Sequence, residues 1–151
     1  MKKTLYYIFL SILIISCTSF NEEDDVHEKI DLKKLSNELF SAYKYEVDTD
    51  RNKSSTQLIV IKINKENFSI NDYNKIKNKL LSKDWDFVDS YDNYYNFCKT
   101  NNYSIDILNP IHDRHYTREG DEVNFKSKDY WYFAIYYNKL GVNNCMEYYG
   151  K

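Results

Sequence analysis

The chain has 151 residues, a formal net charge of −2, 42% hydrophobic and 29% charged residues, and only three Gly and one Pro. This composition is globular: it excludes a collagen-like, low-complexity or disordered chain, and the length suits a single modest core. With no basic excess to neutralise phosphates, nucleic-acid binding is not expected.

At the N-terminus Lys2 and Lys3 precede an apolar run from Leu5 to Ile15. A membrane span needs about twenty apolar residues, so this shorter run reads as a secretion signal. Ile14-Ile15-Ser16-Cys17 resembles the lipobox of a bacterial lipoprotein signal peptide, in which branched apolar residues and a small residue precede an obligatory Cys. The resemblance covers residues 1–17 only. It implies cleavage before Cys17, acylation of the Cys17 sulfur and new amine, and attachment of the mature chain to a membrane of the cell envelope through that lipid. Loss of Lys2 and Lys3 takes the net charge from −2 to −4. In the common sorting rule an Asp after the lipidated Cys retains a lipoprotein in the inner membrane. Thr18 stands there instead, so the outer membrane is expected, facing the periplasm or the cell surface.

Residues 18–29 are polar and acidic and read as a solvated tether. Within them Glu22-Glu23-Asp24-Asp25 reads first as charged linker. It also resembles, with an offset, the acidic surface-export signal of Bacteroidetes lipoproteins. The expected organisation is a signal peptide over 1–16, the lipidated Cys and tether over 17–30, and one domain over 31–151.

The domain opens with a helix expected over about 31–45, with Asp31 as N-cap, Ile30 and Leu35 as a hydrophobic staple, and Leu32, Leu35 and Leu39 on one stripe. Asp48 to Thr56 is polar and reads as a loop. Gln57–Asn64 is a β-branched run and reads as a central strand. A second helix starts at a capping box of Ser69 and Asp72, stapled by Phe68 and Tyr73. Its expected apolar face is Ile70, Tyr73, Ile76, Leu80 and Leu81, and Lys83-Asp84 ends it.

A meander follows. Strands are expected over Trp85–Tyr91 and Tyr94–Lys99, joined by Asp92-Asn93, and from Tyr103 to Ile107 after an Asn101-Asn102 turn. Ser104 and Asp106 alternate with the apolar residues of that last strand, which predicts one face in water. Residues 109–129 read as a long polar connection, and Tyr130–Tyr137 as an internal strand containing Trp131 as a core residue. The sixteen tyrosines suit such a half-solvated sheet, and equally a binding surface, because the ring buries while the hydroxyl stays wet. The expected fold is α+β: a two-layer sandwich with two helices packed on one face of a mainly antiparallel, meandering sheet of about five strands.

With Cys17 committed to lipid, Cys98 and Cys145 remain as a pair that an oxidising envelope would bridge. The alternative is two unrelated buried thiols. A bridge would close a loop of about 48 residues, worth roughly 3–4 kcal/mol.

Chemistry-bearing motifs are sparse. His112-Asp113-Arg114-His115 is a weak metal candidate: two His lie three apart near Glu119, Asp121 and Glu122. The spacing is not the helical H-E-x-x-H pattern, Asn109-Pro110 argues against a helix, and Arg114 sets a positive charge between the ligands. There is no G-x-S-x-G elbow and no Gly-rich phosphate loop, and no cofactor is expected. A twenty-residue connection is uncommon in a small domain and often functional. Within it Tyr116, Arg118, Glu119 and Phe125 form the candidate binding set, aromatic anchors inside a polar rim.

The leading expectation is a non-enzymatic, lipid-anchored module that binds a protein partner, of the immunity or envelope-accessory type. The net charge suits a basic partner. The alternatives are a metal-dependent hydrolase using His112 and His115, and a carbohydrate-binding surface lipoprotein using exposed Tyr and Trp131.

Overall fold

A computed structural model describes residues 29–150. The leader, Cys17 and the tether up to residue 28 lie outside the described residues. Among those described, no helix is long and apolar enough to cross a membrane. The elements in chain order are α1 (Leu32–Phe40), β1 (Tyr45–Asn52), β2 (Thr56–Asn64), a 3-10 turn (Lys65–Asn67), α2 (Ile70–Leu81), β3 (Asp86–Tyr91), β4 (Tyr94–Lys99), β5 (Tyr103–Leu108), β6 (His115–Tyr116), β7 (Glu122–Val123), β8 (Tyr130–Asn138) and α3 (Asn143–Tyr149). The class is α+β. Six strands make one antiparallel sheet in the order β1-β2-β8-β5-β4-β3, and β6 pairs with β7 apart from it.

The sheet has six strands where about five were expected, and the added strand is β1. Residues 48–52, expected as loop, are strand, and α1 stops at Phe40 rather than near 45. β1 reads YEVDTDRN. It is an edge strand, largely exposed and broken by a bulge between Val47 and Thr49. Such a strand needs no apolar alternation, because one partner strand supplies its hydrogen bonds and water the rest.

The expected helix starts are present. The Asp31 carboxylate accepts from the backbone N–H groups of Lys33 and Lys34 at 2.9 and 3.1 Å, satisfying donors that the first turn leaves unpaired. Ser69 and Asp72 form a reciprocal capping box at the start of α2. Lys75 and the Ser69 hydroxyl and backbone N–H hold the Asp72 carboxyl well below the usual carboxylate range. The buried stripe of α2 is Tyr73, Ile76 and Leu80. Ile70 and Leu81, expected on that face, are 52% and 44% exposed. Leu81 lies one residue, about 100° of helical turn, beyond Leu80.

β2, β8 and β5 run side by side in the sheet, so their alternate residues stack in rows: Ile61, Phe133 and Ile107 in one, Ile59, Ile135 and Ile105 in the next. These residues, with Trp131 and Phe97, form one buried cluster with Leu32, Leu35, Leu39 and Phe40 of α1 and Tyr73, Ile76 and Leu80 of α2. The Phe40 ring lies 4.6 Å from Phe133, and Tyr73 stacks on Trp131 at 5.6 Å. Full burial of each such side chain contributes about 1.5–3 kcal/mol.

Two turns set the register of the meander. Asp92 and Asn93 both take positive φ (46° and 61°), as a two-residue hairpin with the right twist requires. In the β4–β5 turn the positive φ falls on Thr100 (58°) rather than on Asn101 or Asn102. The Asn102 side chain is committed elsewhere, donating to the carbonyls of Asn138 and Lys139. The second side of β5 is largely covered rather than in water: Ser104 is 1% exposed and Leu108 3%, while Asp106 is half-buried. Alternation predicts a covered and an open face only where nothing else folds back. Here α3 and the 109–129 segment bring chain to that side, as the Cys98–Cys145 pair and the Phe125–Tyr132 ring contact mark.

Candidate functional site

Strand pleating sends Tyr94, Asn96 and Cys98 of β4 to the side opposite Phe97. The β4–β5 register sets them against Leu108, Asp106 and Ser104. The Asn96 side-chain amide donates to Asp106, and the Tyr94 phenol lies near that carboxyl. Burial pushes the Asp106 carboxyl up to about 6, against the lowering effect of Asn96 and Tyr94, with the Asp89 charge adding to the rise. Burial, and then the neighbouring Asp106, drive the Tyr94 phenol upward in turn.

Cys98 also anchors α3. Cys98 and Cys145 stand at disulfide distance, with sulfurs 2.01 Å and Cα atoms 5.5 Å apart. α3 has seven residues and no side-chain cap at its start, too little to persist alone in water. Tyr149 supplies a second tie: its hydroxyl donates to the Asp86 carboxylate at 2.7 Å.

The opposite wall comes from the 109–129 segment. Expected to be structureless, it folds into the β6–β7 hairpin, with His115 opposite Val123 and Tyr116 opposite Glu122. His115 is fully buried and pins the segment to the β3–β4 turn. Its Nε2 accepts from the backbone N–H groups of Ile111 and His112 at 2.9 and 3.1 Å. Its Nδ1 lies 2.8 Å from the Asp92 carbonyl and 3.0 Å from the Asp92 carboxylate. Two donors at Nε2 and two acceptors at Nδ1 assign the proton to Nδ1.

Between these walls lies a groove of 780 Å³. The strand side comprises the β3 edge with Tyr94 and Asn96, α3 contributes Asn144, Glu147, Tyr148 and Tyr149, and the other wall is Thr117, Arg118 and Glu119. Carboxylates dominate: Asp86, Asp89, Glu119 and Glu147 face it, and the one cation among the described residues there, Arg118, is paired to Asp89 at 3.1 Å. Two other depressions adjoin Lys29, where the described chain begins, and define no site.

The structure divides the candidate binding set. Arg118 and Glu119 line the groove. Tyr116 is exposed, and Phe125 instead packs edge-on against His115 at 5.7 Å and lies near Tyr132. His112 and His115 stack at 5.5 Å, but both His115 nitrogens are engaged, which leaves no lone pair for a metal. Among the described residues no group of three or more His, Cys, Asp or Glu is placed to hold an ion. Trp131 is 2% exposed and presents no ring to a sugar. Sequence reasoning missed Tyr94, Asn96, Asp106 and Tyr148. The one signal for the first three was a set of polar positions on strands otherwise bearing apolar residues.

No family model matches this chain, and neither a curated protein nor a solved structure does.

Proposed function

We propose that this chain is an envelope lipoprotein, anchored through lipid on Cys17 and facing the periplasm or cell surface, that binds a protein partner without catalysis. On this reading α1 and α2 cover one face of the sheet in a two-layer sandwich, and the other face presents the groove to the partner. The observation that carries it is the groove itself: a concave, tyrosine-walled surface whose two walls are each tied down, one by the Cys98–Cys145 pair and one by His115. A preformed surface loses little conformational entropy on association, and tyrosine supplies large contact area at low entropic cost. Small size and an envelope address suit an immunity protein or an accessory part of an envelope machine.

The test is photo-crosslinking in the native host. A crosslinking residue at Tyr148 should yield a discrete protein adduct that the same residue at Glu66, outside the groove, does not. Equal adducts at both positions, or none at either, would remove the groove as the binding site. The anchor is tested separately: Cys17→Ser should accumulate as unprocessed precursor and take up no fatty-acid label.

A further inference from the structure

We infer that the groove receives a lysine- or arginine-bearing segment of the partner protein, with the cationic side chain inserted between Glu119 and Glu147. This rests on the partner-binding reading above and adds the chemistry of the occupant. Three observations support it.

The first is charge. Asp89 is paired with Arg118 and Asp86 accepts from Tyr149, whereas Glu119 and Glu147 have no ion-pair partner among the described residues. They stand on opposite walls of one groove, so a basic segment lying in it passes between two carboxylates that no cation of the described residues engages. The second is the Asn96 side chain. Asn96 is 2% exposed, lines the groove, and gives its amide to Asp106. The contact of its Oδ1 is Cys98 Sγ at 3.8 Å, and a bridged sulfur has no proton to give. A buried acceptor without a donor is destabilising, and an entering ammonium or guanidinium supplies the missing proton. The third is the wall: Tyr148 and Tyr149 line the groove, and an aromatic ring attracts a cation placed over its face. An anionic or purely apolar segment would leave both glutamates and the Asn96 oxygen unanswered.

The test uses the mature full-length chain in detergent and a fluorescein-labelled (Lys-Ser)4 peptide, read by anisotropy, with (Glu-Ser)4 as the contrast. A groove double variant, Glu119→Gln with Glu147→Gln, is set against a double variant outside the groove, Glu66→Gln with Asp113→Asn, which removes the same charge. The expected result is binding of the lysine peptide alone, weakened at least tenfold in the groove variant and less than twofold in the other. Asn96→Leu should weaken it too, provided circular dichroism shows the fold retained. Equal weakening in both double variants, no weakening in either, or equal binding of the two peptides overturns the inference. Crosslinks at Tyr148 that survive the groove variant would then leave partner binding standing while removing the basic segment.

Discussion

Asn96 stands directly across from Asp106 in the β4–β5 register and donates its amide to that carboxylate. The pair lies beneath the groove, on the side of the sheet away from the main core. Burial there holds Asp106 in a state no exposed aspartate shares, and pH is the means of reading it.

The Asp106 pKa is about 6 in the folded chain and near 3.9 in an unfolded one. A folded-state pKa above the unfolded value means that the native state binds the proton more tightly. The resulting stabilisation is complete below about pH 4 and is lost as pH rises through about 6. Urea unfolding should therefore show Asp106→Asn gaining on the parent chain between pH 4 and pH 7, by about 2 kcal/mol. Parallel profiles for the two chains would show that Asp106 titrates normally.

Removing the Cys98–Cys145 link should cost about 4 kcal/mol in the chain-entropy picture, and α3 should loosen before the sheet. Thiol titration of denatured, non-reduced protein is expected to find neither cysteine free. Hydrogen exchange under reductant should accelerate first over residues 143–149. Two free thiols, or unchanged protection there, would contradict the arrangement.

His115→Leu should leave the Ile111 and His112 amides without their acceptor, at a cost of about 2 kcal/mol. The damage should be local. Amide protection is lost over 111–123 while β2 and β8 keep theirs, because the main core does not include the ring. Loss of the entire sheet would assign His115 a larger role than its contacts support.

Thr100 carries a φ of 58°, which a β-branched residue rarely adopts. Thr100→Gly should raise the unfolding midpoint, with a gain on the order of 1 kcal/mol, since glycine takes that conformation without Cβ strain. A lowered midpoint would mean that the weak bond from Asn102 N–H to the Thr100 hydroxyl outweighs the strain.

The elements most legible in the sequence are those whose signals are local. Ser69 and Asp72 mark the start of α2 because both capping partners lie within one turn, and β8 declares itself through an apolar run longer than a solvated strand would carry. β1 was hidden because an exposed edge strand looks like loop. α3 was hidden because a sulfur pair from β4, rather than any cap of its own, holds it. The groove was hidden for a related reason. Asn96, Asp106 and Ser104 alternate with apolar neighbours as solvent-facing residues do, and a period of two cannot distinguish water from a second layer of chain. Arg118 and Glu119 were reachable as part of an unusually long connection, but their partners across the groove, Glu147 and Tyr148, lie near the far end of the sequence.

One bank of the cleft thus hangs from a bond that a nascent chain does not yet possess. While both thiols are reduced, the seven residues that carry Tyr148 and Glu147 lose their covalent tie to β4, and the groove keeps one firm wall and one loosely held by Tyr149. Oxidation then acts as an assembly step. If the groove binds a partner as proposed, a still-reduced molecule would offer it half a grip, and the full grip would come only with oxidation.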